Sequence, residues 1–458
     1  MTTSLDVSSG QRTPAPAPRR ATWRSRLEGA TTPARLRLLL VALVLLSLAW
    51  GVLAALTADQ HASAASDVIA VSEPLSLDAE QVYQSLSDAD ATAANAFLAG
   101  GLEPAAARQR YQADITQAAI RIEAASALVG SSAARTQLPG HVAHQASTTG
   151  TAVGDDLATL SGQLPVYTDE VATARADNRL GLPLGAAYLR EASGLLRGTL
   201  LPAASDIYSR ESAQLTSASA QATGLPLLVV AVVAGLGIGY VLYRSSQWLA
   251  RHTHRVVNYG LLLAALVGLV SLVWLAGAFA IGRGDLLHAQ QQGSAPAQAF
   301  ARAEVAALQA HADESLTLID NSGDDSYQQD FLAQQKLLGP GPGTLLGAVQ
   351  ASAGNGGGRA VTEAQAWYQA HAALRKLDDG GNHTAAVRSA LTGDAAAKFG
   401  SLSATLSDGI DAHQAVFASS ARGGRDAFTG LAVGMIVAAL VMAAGCAWGL
   451  SRRLAEYR

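Results

Sequence analysis

Cysteine is almost missing from this chain: Cys446 is the one thiol among 458 residues. It lies inside an apolar run, so neither of the large polar segments can close an internal disulfide, and their folding must rest on packing alone. Aromatic residues make up 5% of the chain, alternating apolar patterns are short and alanine dominates, which argues against sheets and for helices. Charged residues reach only 15%, and the net charge of -4 averages basic clusters with mildly acidic polar segments. That balance excludes a nucleic-acid binder, which needs a strong basic excess to neutralise phosphates.

Catalytic and cofactor constellations are missing too. The glycine-rich stretches Gly339 to Gly343 and Gly354 to Gly358 lack the Gly-Lys-Ser/Thr that holds nucleotide phosphates and magnesium, and both read as loops. His252 and His254 stand two apart, off any common helical face, with no cysteine or carboxylate beside them, which speaks against a metal. His141 and His144 read as solvated loop residues, and no Ser, His and Asp set occupies a nucleophile elbow. The expectation is a protein that is not an enzyme, with no cofactor and no metal. The apolar runs carry no acidic residue or lysine in their interiors, which argues against coupled transport, where buried ionisable groups are the rule.

What the chain does have is four uninterrupted apolar runs, at 38–57, 225–243, 259–281 and 428–450. Each has the roughly 20 residues that a helix needs to cross about 30 Å of hydrocarbon. They divide the chain into a tail (1–37), a long polar segment (58–224), a short basic loop (244–258), a second long polar segment (282–427) and a short tail (451–458). Arginines before the first run, Arg244, Arg251 and Arg255 in the short loop, and Arg452, Arg453 and Arg458 after the last run all fall on one side. By the positive-inside rule that side is cytoplasmic, so both termini face the cytoplasm of a multi-pass plasma-membrane protein and both long segments face outside. Arg283, Arg422 and Arg425 dissent, but they flank a long translocated segment, where the rule is weak. The first run could also serve as a signal peptide, although it exceeds the usual h-region of about 7–15 residues. Ser, Thr, Pro and Arg dominate the first tail, which reads as disordered and drawn to anionic membrane lipid.

Both long segments carry helical periodicity. In the first, Val68, Val71, Leu75, Val82 and Leu86 form one stripe and Leu189, Ala192, Leu196, Leu200, Ala203 and Ile207 another, with helical patterns at 105–129 and 155–179 between them. Four helices with both chain ends at the membrane make an up-down bundle. Gly100-Gly101 and the stretch from Arg179 to Pro183 mark its far turns, while Pro74, Pro165 and Pro202 are expected to kink or break helices. The second segment repeats the plan with helices expected at 299–321, 327–337, 361–377 and 385–414. Ala89-Asp90 and Gly100-Gly101 resemble Ala312-Asp313 and Gly323, and Leu189-Arg190 resembles Val387-Arg388, so the two segments read as a duplication. The fold class is therefore an all-α membrane protein: four transmembrane helices and two extracytoplasmic up-down four-helix bundles.

Small-residue pairs four apart, Gly235/Gly239, Gly430/Gly434 and Gly445/Gly449, point to close helix packing, within one chain or between copies in a homo-oligomer. Outside the spans, Arg175, Arg179, Arg190 and Arg197 cluster around the turn between the third and fourth helices, where guanidinium groups suit a carboxylate ligand or an acidic protein face. Asp88 and Asp90 join them as candidate partner or ligand contacts, and Arg244, Arg251 and Arg255 are the candidate cytoplasmic output.

The string Ser87-Asp88-Ala89-Asp90-Ala91-Thr92-Ala93-Ala94-Asn95-Ala96-Phe97-Leu98, with Gly100-Gly101 and Arg110-Tyr111, resembles the core of four-helix-bundle bacterial sensors. Together with Ser72-Glu73-Pro74-Leu75-Ser76, and with Ala176-Asp177-Asn178-Arg179 leading into Leu182 to Arg190, it is similar to the actinobacterial GlnX-type transmembrane proteins. The resemblance covers the first polar segment and the four-span layout and is weak in the second segment. It implies a relay: an extracytoplasmic solute-binding lipoprotein senses aspartate or glutamate, and this chain passes the signal to a cytoplasmic serine/threonine kinase, protein kinase G, or an adaptor. The short arginine-side segments also call for a separate effector, because they offer no kinase or coiled coil of their own. Rival readings are a cell-envelope scaffold or assembly protein and a transporter accessory subunit.

Overall fold

The structure is a computed structural model that describes residues 32–67, 73–101, 103–136, 146–222, 226–253, 258–320, 325–353 and 355–455. The tail 1–31, Val68, Val71, His141, His144, His254, Arg255, Gly323 and Arg458 lie outside the described residues. In chain order the helices are α1 (Thr32–Asp67), α2 (Glu73–Leu98), α3 (Ala105–Thr136), α4 (Ala146–Arg179), α5 (Leu184–Leu195), α6 (Leu201–Ala222), α7 (Pro226–Thr253) and α8 (Tyr259–His288). They are followed by α9 (Ala295–Ile319), α10 (Ser326–Leu338), α11 (Leu345–Ala353), α12 (Asn355–Asp379), α13 (His383–Thr392), α14 (Asp394–Asp426) and α15 (Leu431–Ala455). No strand occurs among the described residues, and four helices are long and apolar enough to cross a membrane. The chain is an all-α membrane protein.

Two compact units result, one of residues 1–55, 230–273 and 433–458 and the other of residues 56–229 and 274–432. The first holds most of the apolar runs. Within it Trp50 Nε1 donates to the Ala231 carbonyl at 3.0 Å, and Asn258 Nδ2 donates to the Gly449 carbonyl at 2.9 Å. Both bonds give a polar group a partner that hydrocarbon could not supply.

The second unit contains both long polar segments. The sequence suggests two separate bundles; in the structure α2 of the first segment and α9 of the second pack against each other as the central pair. Each is buried nearly all round because its inward residues are small: Ala89, Ala93 and Ala94 on α2, and Ala303, Ala310 and Ala312 on α9. Alanine lets the two backbones approach closely, and a helix buried all round belongs at the centre. Around α2, the stripes Leu75, Val82, Leu86 and Leu189, Leu196, Leu200, Ile207 close on Tyr167 and Ile122 in one core. Around α9, Phe300, Phe331, Trp367, Phe399 and Leu402 form another.

Prolines are absorbed rather than disruptive. Pro165 sits inside the continuous α4, and Pro202 follows a π-helical turn, Leu196–Leu200, that joins α5 to α6. A proline clashes with the carbonyl four residues back, and the wider π turn makes room for it. A second such turn, Ala289–Ser294, stands in the same relation to Pro296 between α8 and α9. The stretch Gly356 to Gly358, expected as loop, belongs to α12, and α11 is a helix that the glycine-rich composition hides. The expected last helix is divided at Gly393 into α13 and α14.

Two turns share one hydrogen-bond pattern. After α4, Leu182 N donates to Asp177 O at 2.9 Å and Gly181 N to Asn178 O at 3.1 Å; after α12, Asn382 N donates to Leu377 O at 2.8 Å and Gly381 N to Asp378 O at 2.9 Å. Gly181 and Gly381 take φ of +68° and +79°, the left-handed conformation that ends a helix at low cost only when the residue lacks a Cβ.

Candidate functional site

The polar centre of the second unit grows from the junction of α2 and α9. Asp90 of α2 is buried and accepts from Ser193 Oγ of α5 at 2.7 Å. The Arg197 guanidinium, from the π turn after α5, lies 3.6 Å from Asp90 and also binds Asp313 of α9. Asp90 and Asp313, the aspartates of the Ala89-Asp90 and Ala312-Asp313 pairs, thus hold the same arginine, one from each segment. Burial raises both carboxyl pKa values despite Arg197, Asp313 to about 7. Arg190 continues the joint by pairing with Asp320 at 3.2 Å.

Beside this joint, α2, α3, α9 and α14 enclose a cleft of about 700 Å³. Arg110 of α3 grips Asp88 of α2 through two bonds of 2.9 Å, and Asp114 lies one helical turn further along α3 on the same wall. Glu304 of α9 is 4% exposed and is bonded through one oxygen by the Gln84 amide. His311 lies 3.2 Å from the Asn95 amide and stacks on Phe399 of α14 with ring centroids 3.9 Å apart. Burial, with the nearby Asp88 carboxylate, pushes Asp114 up to about 8 against the pull of Arg110; burial and Asp88 likewise push Glu304 up to about 8. Three carboxyls thus face one guanidinium, itself committed to Asp88.

Behind the cleft, Glu314 is fully buried between two histidines, with His371 Nδ1 at 2.7 Å and His311 Nδ1 at 3.5 Å. Burial alone would raise its pKa, but hydrogen bonding to His311 and His371 outweighs that and holds it down to about 2. Among the described residues no group of three His, Cys, Asp or Glu side chains has metal-binding geometry.

The residues singled out in the sequence are scattered by this geometry. Asp88 lines the cleft; Asp90 and Arg190 lie in the joint between the segments. Arg175 pairs with Glu103 at 3.3 Å and lies 4.0 Å over the Tyr111 ring, so it braces the fold. Arg179 alone of the five is exposed, its Nε donating to the Arg175 carbonyl at 3.3 Å. The two far turns do meet there: a Cβ on Gly101 would stand 3.6 Å from the Arg179 Cα, and Asn178 Nδ2 donates to the Phe97 carbonyl at 2.8 Å. Leu180, Leu182 and Leu184 are exposed beside it. Arg244 and Arg251 are exposed on α7.

Among the paired glycines, Gly235 faces Trp50 and Leu272, and Gly445 and Gly449 lie against Gly260, so these three do bring helices together. Gly239 faces open space, and Gly434 is half-buried on α15. Gly430 is no packing residue, because it stands at φ +76° in the turn before α15. Sequence reasoning missed Arg110, Asp114, Glu304 and His311 as a set. Glu304 and His311 carry one signal, a titratable residue on the inward side of an alanine helix, whereas Arg110, exposed on α3, carries none.

Residues 64–220 match the family model described as the actinobacterial sensor domain, roughly a third of the chain. No curated protein and no solved structure matches it. The matched segment carries α2 to α6, hence Asp88, Arg110 and Asp114, whereas the α9 and α14 walls of the cleft lie beyond it. With its four span-length helices, the chain is a membrane protein with a segment similar to a bacterial sensor domain.

Proposed function

We propose that this chain is a non-enzymatic transmembrane signal relay, with both termini cytoplasmic and the α2 to α6 and α9 to α14 helices outside. The observation that carries the reading is the sensor-domain similarity of residues 64–220 in a chain with four span-length helices. In the finer form, suggested by the resemblance to GlnX-type proteins, an aspartate- or glutamate-loaded lipoprotein docks outside and a serine/threonine kinase or adaptor reads the cytoplasmic side. The α4–α5 turn supports a docking role: Arg179 is exposed there beside Leu180, Leu182 and Leu184, an apolar patch with a cation at its edge. The output is assigned to Arg244 and Arg251 in the last turns of α7, with Arg255 after them in the sequence. Coupling of this kind needs the partner to favour one of two helix arrangements by about 1–3 kcal/mol.

In-membrane crosslinking with partner identification tests the relay. Arg179→Glu is expected to reduce capture of a lipoprotein while leaving insertion intact, and Arg251→Ala is expected to keep capture but lose the kinase response. Capture of envelope structural proteins alone would favour a scaffold. Orientation is read separately: with Cys446 replaced, a cysteine at Ser147 or Ser352 should react with an impermeant reagent in intact cells and one at Ser246 should not. The reverse pattern refutes the topology.

A further inference from the structure

We infer that the cleft between α2, α3, α9 and α14 is a binding site of its own for a small organic cation bearing primary ammonium groups. Its volume of about 700 Å³ falls in the range of small-molecule sites. Glu304, nearly fully buried at its wall, is bonded by the Gln84 amide through one oxygen. Asp114 Oδ2 is buried without a donor among the described residues. Asp114 Oδ2 therefore lacks the donor that a buried acceptor requires, with the Glu304 carboxyl on the facing wall, and an ammonium group supplies three donors.

Charge selects the class. Arg110 is the one arginine on the lining, and two of its three nitrogens are taken by Asp88, so an added carboxylate would meet Asp88, Asp114 and Glu304 beside a guanidinium already paired. The lining from α14 contributes hydroxyls and apolar groups, Ser403, Ser407, Ala404 and Phe399, and no charge. A quaternary ammonium group, which prefers an aromatic cage, finds only Phe399 and His311. Aspartate or glutamate is therefore a poor occupant, and the site is distinct from lipoprotein docking at Arg179.

The acids' state adds a signature. Burial pushes the pKa of Glu304, facing Asp88 and Glu80 of α2 and Arg110 of α3, and of Asp114, facing Asp88 and Arg110, up to about 8. A cation stabilises their ionised forms, so binding expels protons and tightens as pH rises toward 8.

The test is calorimetric titration of the full chain in lipid nanodiscs with putrescine, lysine and glutamate, at pH 7.5 in two buffers of different ionisation enthalpy. Putrescine is expected to bind with proton release and glutamate not at all. Loss of one charged hydrogen bond by Glu304→Gln should weaken putrescine about tenfold. That variant removes a buried ionisable group and should fold; Ala404→Phe, which fills the cleft from α14, provides a second route to the same loss. The inference is overturned if no ammonium compound binds at millimolar concentration, if glutamate binds as tightly, or if both variants bind putrescine unchanged. Lipoprotein capture, measured on the same Glu304→Gln protein, should be unaltered, so failure here leaves the relay reading standing and the reverse also holds.

Discussion

Removing the Arg197 guanidinium should damage the joint between the two polar segments more than any other single charge deletion in it. Arg197→Met keeps the aliphatic stem but leaves Asp90 and Asp313, whose side chains are 5% and 1% exposed, without their shared cation. Breaking a buried ion pair from one side costs about 3–5 kcal/mol, because the stranded charge has neither water nor partner. Two features point to the low end of that range. The Arg197 side chain is itself 25% exposed, and Asp313, already raised to about 7, escapes most of the penalty by binding a proton. About 3 kcal/mol is expected, which at roughly 2 °C per kcal/mol for a large domain lowers the melting temperature by about 6 °C. Near-ultraviolet circular dichroism of the full chain in nanodiscs reads it. The triple variant Arg197→Met, Asp90→Asn, Asp313→Asn removes every charge at once and should recover all but about 1 kcal/mol, since neutral polar groups carry no stranded charge. The reasoning fails if Arg197→Met melts within about 1 °C of the parent, or if the triple variant melts below the single one.

Stability should pass through a maximum near pH 5. Glu314, held at about 2 in the fold against an ordinary 4.5, contributes stability that is complete above about 4.5 and is lost as pH falls toward 2. Glu304 and Asp313 act oppositely: raised to about 8 and 7, they keep protons that the unfolded chain releases, so stability grows as pH falls from about 8 to about 5. Melting curves from pH 3 to 9 check both arms; Glu304→Gln should flatten the alkaline one and Glu314→Gln the acid one. In the spans, Gly260→Leu should cost about 1–3 kcal/mol by overpacking, because a Cβ there collides with the Gly449 backbone, whereas Gly239→Leu, which faces open space, should be neutral. Thermal unfolding followed by tryptophan fluorescence separates the two, and an equal effect at both positions would refute the packing assignment.

Much of this architecture is written locally. Four apolar runs of bilayer length specify span-length helices, since the requirement that every backbone polar group be satisfied inside hydrocarbon leaves a single apolar segment no alternative but helix. The stripes Leu75, Val82, Leu86 and Leu189, Leu196, Leu200, Ile207 are legible because large side chains at a period of 3.6 have one face to bury. Gly100-Gly101 and Gly181 mark turns through their own backbone chemistry. Other features depend on what lies across the fold. The alanine faces of α2 and α9 carry no large side chains, so nothing in them announces that each helix is the other's central partner; it takes both backbones in place to show that small side chains permit the approach. Pro202 reads as a break because the π turn that accommodates it is held by tertiary packing of Leu196 and Leu200. The arginines look alike in sequence, yet Arg175 and Arg190 are consumed by Glu103 and Asp320 while Arg179 faces solvent, and only distance decides which. The cleft is the extreme case. Asp88, Arg110, Asp114 and Glu304 come from three helices of both segments, and the raised pKa values of Asp114 and Glu304 exist only once those helices exclude water around them.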